Sequence, residues 1–237
     1  MVVRVRIVLQ ARTSSNRLPA KVLLPIAGVP LAVICAQRLN STGHEVVLAT
    51  STDHTDDVLS QIAENLGLNV FRGSLNDVLN RFLVCVSELA DDDIVVRATA
   101  DNPLPDGGFI DALLELFKST KTHYLGTSSP ADGLPYGLSA EVFYVGAIRA
   151  VAKSDHSPAD LEHVTTSLRM HAGSLGIVPK KYFSTKDLSH MRVTIDTLED
   201  YLAMALLFNN IDKPATICWR KLIYKMQSAV PASSLIL

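Results

Sequence analysis

Short apolar runs alternate along this chain with longer stretches in which apolar residues recur at three- and four-residue spacing. Val3–Gln10 (VRVRIVLQ) reads as a strand, Leu31–Leu39 as a helix packed on a sheet, and Glu45–Ala49 as a short buried strand. Thr55–Leu66 sets Val58, Leu59, Ile62, Ala63 and Leu66 on one helical stripe, and Gly67 closes it as a C′ residue. Asn69–Phe71 predicts a brief strand, Asn76–Leu89 a helix, Asp91–Ala98 a strand, Gly107–Lys118 a helix and His123–Gly126 another strand. This rhythm predicts an α/β fold with a mostly parallel sheet covered on both faces.

The pattern changes at Ser128–Ser139, where Pro and Gly concentrate and a loop or lid is expected. Glu141–Tyr144 then predicts a strand, Val145–Lys153 a helix, and Pro158–His171 a helix with Asp160 and Glu162 in its acidic first turn. Met191–Ile195 predicts a strand ending at Asp196, and Thr197 caps a helix over Leu198–Leu207. The expected organisation is one domain over residues 1–226, with an arm within about 127–190 and a small-residue tail over 227–237.

With 237 residues and 48% hydrophobic content the chain can bury a substantial core. A formal charge of −2 with dispersed basic residues lacks the electrostatic footprint of a nucleic-acid binder. Cys35, Cys85 and Cys218 are too scattered for a disulfide framework or metal cluster, so buried thiols in a reducing compartment are expected. No apolar run has the length of a membrane span, and a soluble cytoplasmic protein is the expectation.

Candidate chemistry begins where the first strand empties into a loop carrying Arg12, Arg17 and Lys21 among Thr13, Ser14 and Ser15. Open α/β sheets hold ligands at such strand ends, and three cations with hydroxyl donors suit a polyanion such as a nucleoside triphosphate. A solvated basic turn is the alternative, and Lys21 is expected to be an exposed loop cation in either case. The loop is neither a Walker motif nor a glycine-rich dinucleotide fingerprint. Asp101 and Asp196 each follow an apolar strand, in VVRATAD and MRVTID, and together suit magnesium, which takes one or two carboxylates plus substrate phosphates. Singly, each is equally a turn former or a helix cap.

Gln10-Ala11-Arg12, Asn16-Arg17-Leu18-Pro19 and Lys21 resemble the signature loop of the cytidylyltransferases that make CMP-activated sugars, especially the branch similar to spore-coat polysaccharide cytidylyltransferases. RATADNPLPD and RVTIDTLEDY resemble that family's two segments carrying metal-binding aspartates. Phe71-Arg72-Gly73-Ser74 with Asn76–Phe82 resembles the part near cytosine and ribose, and Glu162-His163-Val164-Thr165 a segment on the acceptor side. The chain departs from the family pattern at Ala20 and Ala100, where glycine is usual.

The resemblance implies a three-layer Rossmann-like nucleotide-diphospho-sugar transferase fold with a mostly parallel central sheet and a small inserted arm. It implies transfer of CMP from CTP to a sugar, sugar acid or related acceptor, with Mg2+ on Asp101 and Asp196 and Arg12 and Lys21 also in catalysis. Gln10, Ala11, Arg12, Arg17, Lys21, Arg72, Asp77 and Arg97 would bind the nucleotide, and Tyr136, Glu141, His163 and Arg192 the acceptor. A homodimer whose arm crosses to the partner is implied as well. From the residues alone, Asp77 is equally a first-turn charge, Arg81 an ordinary surface cation, His163 a structural histidine and Arg192 the end of a strand. Use of another nucleoside triphosphate, a phosphorylated non-sugar acceptor, or nucleotide binding without turnover are the alternatives.

Overall fold

The computed structural model describes residues 2–153 and 163–229. The opening pattern becomes strand β1, Val5–Gln10, whose side chains face two separate cores. Ile7 and Leu9 pack into one and Val8 into the other, so both faces of the strand are dry and its apolar run is nearly continuous. Each such buried aliphatic side chain contributes about 1.5–3 kcal/mol of transfer free energy.

The hairpin strands β2, Pro25–Ile26, and β3, Val29–Pro30, stand apart from the main sheet. That sheet comprises β1, β4 (Glu45–Ser51), β5 (Asn69–Gly73), β6 (Ile94–Thr99), β7 (Tyr124–Gly126) and β8 (Glu141–Tyr144). Its order is β5-β4-β1-β6-β8-β7, with the first four strands parallel, β8 antiparallel to β6, and β7 antiparallel to β8. The order turns at β1, which has β4 on one side and β6 on the other. Gln10 is in register with Thr99, so the loops leaving β1 and β6 start side by side at this switch point.

Helices α1 (Leu31–Leu39), α2 (Asp57–Asn65) and α4 (Gly107–Ser119) share one core with helices Leu198–Phe208 and Trp219–Ala229. Helices α3 (Val78–Cys85), α5 (Val145–Val151) and Thr166–Ala172 cover the other face. Three layers result, with a mostly parallel central sheet as expected. Asp106 ties the last helix in: its carboxylate accepts from Phe109 N at the start of α4 (2.8 Å) and from Trp219 N (2.6 Å).

Several predicted elements change. Met191–Ile195 is extended but is no strand of the sheet. It meets Tyr136 through one isolated bridge to Arg192, because its partner segment is the Pro135–Gly137 turn, which cannot continue a ladder. Of the helix expected over Pro158–His171, a regular helical run among the described residues begins only at Thr166, since Val164 takes φ 61. Asp160 and Glu162 lie outside the described residues. The helix expected over Asn76–Leu89 is shorter, Val78–Cys85, with Asp77 as its cap. Trp219–Ala229 runs into residues read as tail, of which 230–237 lie outside the described residues.

Candidate active site

The loop after β1 is held from below by a residue the sequence reading passed over. Asp56, fully buried, accepts from Thr13 N (2.7 Å) and Thr13 Oγ1 (2.7 Å) through Oδ1, and from Ser51 N (3.2 Å) and the Ser51 hydroxyl through Oδ2. Burial raises the Asp56 pKa, but the Ser51 and Thr13 hydrogen bonds outweigh it and leave it below the usual carboxylate range. The Thr13 hydroxyl is thereby committed to protein acceptors, which corrects its assignment as a phosphate donor.

Ala20 sits at φ 56, ψ 20, the left-handed conformation that a glycine would adopt without strain. It turns the chain so that Lys21 points inward. Lys21 is only 7% exposed, which corrects the expectation of a loop cation in water. Its Nζ donates to Asp101 Oδ2 (2.9 Å), Asp196 Oδ1 (3.0 Å) and the carbonyl of Ile195 (2.7 Å). Ala100, the other departure from the family glycines, is buried without a positive φ.

Asp101 follows β6 and accepts from Thr99 Oγ1 (2.6 Å). Its backbone carbonyl accepts from Ile195 N (2.8 Å), which brings the Asp196 segment alongside. Asp196 Oδ1 pairs with Arg17 Nη2 (2.8 Å) and Asp196 Oδ2 with Arg192 Nη2 (2.8 Å). Burial raises its pKa, and Lys21, Arg192 and Arg17 together bring it below the usual value. Helix capping falls to Thr197, which forms a capping box with Asp200. Asp196 therefore faces the cations and does not serve as the cap.

Two cavities open on this constellation. The first, about 410 Å³, is lined by Gln10, Ala11, Arg12, Arg17, Lys21, Arg97, Asp101, His163 and Asp196 of the predicted residues. The second, about 330 Å³, is walled by the Ser128–Ser139 loop, Tyr136 included, and by Arg169. They share Arg17, Thr99, Asp101 and Asp196. His163, assigned to the acceptor from sequence, lines the first cavity and not the second.

Four predicted residues do not line either cavity. Arg72 clamps the α2 entry, donating to Ser51 O (2.9 Å), Asp53 O (3.1 Å) and Asp57 Oδ1 (2.6 Å), and Asp77 accepts from Asn80 N (2.9 Å) as the α3 cap. Neither side chain lines a cavity, because Arg72 is held by the Ser51–Asp57 segment and Asp77 by the first turn of α3, although Val78 and Arg81 of that helix do line the first. Arg192 is engaged with Asp200 and Asp196 and lies over the Tyr136 ring at 5.1 Å. Glu141 is buried, and its carboxylate is taken up by protein donors.

Sequence reasoning missed Arg169, and it left Arg81 open between the segment resembling the cytosine and ribose side and an ordinary surface cation. Arg81 is 3% exposed and lines the first cavity, which removes the surface-cation alternative; its Nη1 donates to Ser74 O (2.7 Å) and its Nε has no hydrogen-bond partner among the described residues. Desolvation, opposed by Asp56 and reinforced by Arg12, lowers its pKa. A Cβ at Gly73 would meet Arg81 Cγ at 2.7 Å, so glycine there leaves room for the arginine stem.

Asp101 and Asp196 are the residues that could hold a divalent cation: oxygens of these two carboxylates from distant segments converge on one point, taken here by the Lys21 ammonium, and such a cation commonly takes one or two carboxylates plus substrate phosphates. Among the described residues no group of three or more metal-ligating side chains occurs.

A Rossmann-like sheet with a cationic crevice and paired aspartates at its switch point defines the class of nucleotidyltransferase folds. The chain belongs to the cytidylyltransferase family, whose model matches residues 6–224. It is 29% identical over 227 residues to the spore coat polysaccharide biosynthesis protein SpsF of Bacillus subtilis, covering 91% of each chain. It is 34% identical over 107 residues to the 3-deoxy-manno-octulosonate cytidylyltransferase of Francisella philomiragia, covering 43% of this chain and 41% of that one. Among solved structures it is similar to a cytidylyltransferase from Leptospira borgpetersenii, with a TM-score of 0.85, 27% identity, and 96% and 95% of the two chains covered. No helix among the described residues is long and apolar enough to cross a membrane.

Proposed function

We propose that this protein transfers CMP from CTP to a sugar acid or related sugar-type acceptor and releases pyrophosphate, in the making of a surface-glycan precursor. The observation that carries the reading is the shared wall. Two cavities that meet at Asp101, Asp196, Arg17 and Thr99 suit two substrates reacting at their junction. The acid class of acceptor is supported by the Arg169 guanidinium on the second cavity and by the 3-deoxy-manno-octulosonate relative. An acceptor hydroxyl attacks the α-phosphorus, the bond to the α–β bridging oxygen breaks, pyrophosphate leaves and the hydroxyl proton passes to solvent.

Arg12 and Arg17 hold the phosphates from the loop, and Lys21, released from the carboxylates, adds a third positive charge. Arg97 and Gln10 fix the floor of the nucleotide cavity, while Tyr136 and Arg169 orient the acceptor. Asp101 and Asp196 would hold Mg2+, which supplies charge neutralisation and alignment at the α-phosphate. A cytoplasmic homodimer belongs to the same proposal, on the family resemblance.

Thermal protection with magnesium tests the nucleotide: CTP should raise Tm more than UTP, ATP or GTP at equal concentration. Equal protection by all four would remove the cytidylyl assignment. Pyrophosphate release with CTP across a panel of sugar acids and sugar phosphates tests the acceptor, and release with sugar phosphates alone would overturn the acid class.

A further inference from the structure

Glu141 is 4% exposed, and its two carboxylate oxygens serve different parts of the molecule. Oε2 accepts from Arg97 Nη1 (2.5 Å), and Arg97 in turn donates through Nε to Gln10 Oε1 (2.5 Å); both Arg97 and Gln10 line the first cavity. Oε1 accepts from Arg169 Nη2 (2.6 Å), Tyr124 Oη (2.6 Å) and Thr165 Oγ1 (2.9 Å), and Arg169 lines the second cavity. The network crosses the sheet from β1 through β6 and β8 to β7, with Glu141 in register with Arg97 on one side and Gly126 on the other. A Cβ at Gly126 would lie 2.5 Å from Tyr124 Oη, so glycine there leaves room for the hydroxyl to reach the carboxylate.

We propose that Glu141 is a positioning residue that couples the two cavities, with Oε2 setting Arg97 on the nucleotide side and Oε1 setting Arg169 on the acceptor side. The proposal rests on reading the first cavity as the CTP site. One buried carboxylate shared by two guanidiniums makes their positions interdependent. When an acceptor anion draws Arg169 away from Oε1, the carboxylate's attraction falls more heavily on Arg97, and the setting of the nucleotide cavity changes. Reciprocity then requires that nucleotide binding alter the acceptor side by the same factor. Burial raises the Glu141 pKa, but attraction to Arg97 and then Arg169, with the hydrogen bonds from Tyr124 and Arg169, brings it down to about 2, so the group carries its charge wherever the protein is folded and active.

The test needs only CTP. Arg169 does not line the first cavity, so a change in CTP affinity on its replacement must be relayed. Calorimetric CTP dissociation constants are measured for the wild type, Arg169→Met, Glu141→Gln and the double variant, without acceptor. Arg169→Met should weaken CTP binding by about fivefold or more, and the effect should shrink below about twofold in the Glu141→Gln background. As a control for mere destabilisation, Arg149→Ala breaks a clamp on Asp91 and neighbouring carbonyls remote from Glu141 and should lower Tm without moving the CTP constant. Unchanged CTP affinity in folded Arg169→Met, or an equal loss with and without Glu141, would overturn the coupling. If Glu141→Gln fails to fold, Glu141→Asp replaces it, since it keeps the charge and withdraws the carboxylate by one methylene. A wild type that binds no CTP would sink the nucleotide reading instead, and the same cycle run on inorganic pyrophosphate then decides the coupling.

Discussion

The Lys21 ammonium lies 3.0 Å from Asp196 Oδ1, across 175 residues of sequence. Because it also bonds Asp101, it neutralises two carboxylates that would otherwise repel each other in a largely buried crevice. Lys21→Met should therefore cost about 3 kcal/mol of stability, the scale for removing one partner of a buried pair. On the proposed reading it should also abolish most turnover yet tighten Mn2+ binding by the free protein, since the competing cation is gone. Calorimetry, pyrophosphate release and Mn2+ titration by electron paramagnetic resonance measure the three effects, and unchanged or weaker Mn2+ affinity would count against a shared cation position.

On the proposed reading, Asp101→Asn and Asp196→Asn should each lower kcat on the order of a hundredfold or more while changing CTP affinity much less, because their charge would matter most as the α-phosphate reacts. In that reading, where both would hold one cation, the double variant should lose clearly less than the product of the single losses. Near-normal turnover in a folded Asp196→Asn protein would leave that residue only an anchor for Lys21, Arg17 and Arg192.

Acid stability should carry the mark of Glu141. Its folded pKa, about 2, lies below its unfolded value of about 4.5, so the unfolded chain binds more protons between those pH values and stability rises with pH there. The contribution is complete above about pH 5 and is lost as pH falls toward 2, amounting to on the order of 3 kcal/mol. Glu141→Gln should flatten that limb of a denaturation-versus-pH curve relative to the wild type. An identical acid limb in both proteins would show that other carboxylates set it.

Ala20→Gly should raise stability by about 0.5–1 kcal/mol, because alanine pays a steric cost at φ 56 that glycine does not. A rise in Tm of a few degrees is expected. A fall would mean that the unfolded-state entropy of glycine outweighs the relief of strain.

Much of this molecule is determined locally and was legible as such. The alternation of apolar strands with amphipathic helices, the Thr197 cap, the loop after Gln10 and the two strand-end aspartates depend on neighbours within a few residues, and the structure contains each of them. Tertiary structure decided what those groups face. Lys21 leaves solvent because Ala20 turns it inward toward carboxylates 80 and 175 residues away. Glu141 and Arg97 become one buried pair only because β8 lies antiparallel beside β6 in that register, and Arg81 and Asp56 are buried only once other segments of the fold cover them. Met191–Ile195 has the composition of a strand, yet whether such a segment joins a sheet depends on a partner able to continue the ladder, and the Pro135–Gly137 turn is not one. Side-chain pattern sets an element's periodicity within one stretch of chain, whereas burial, ion pairing and strand membership arise between stretches and follow from which strands the fold makes neighbours.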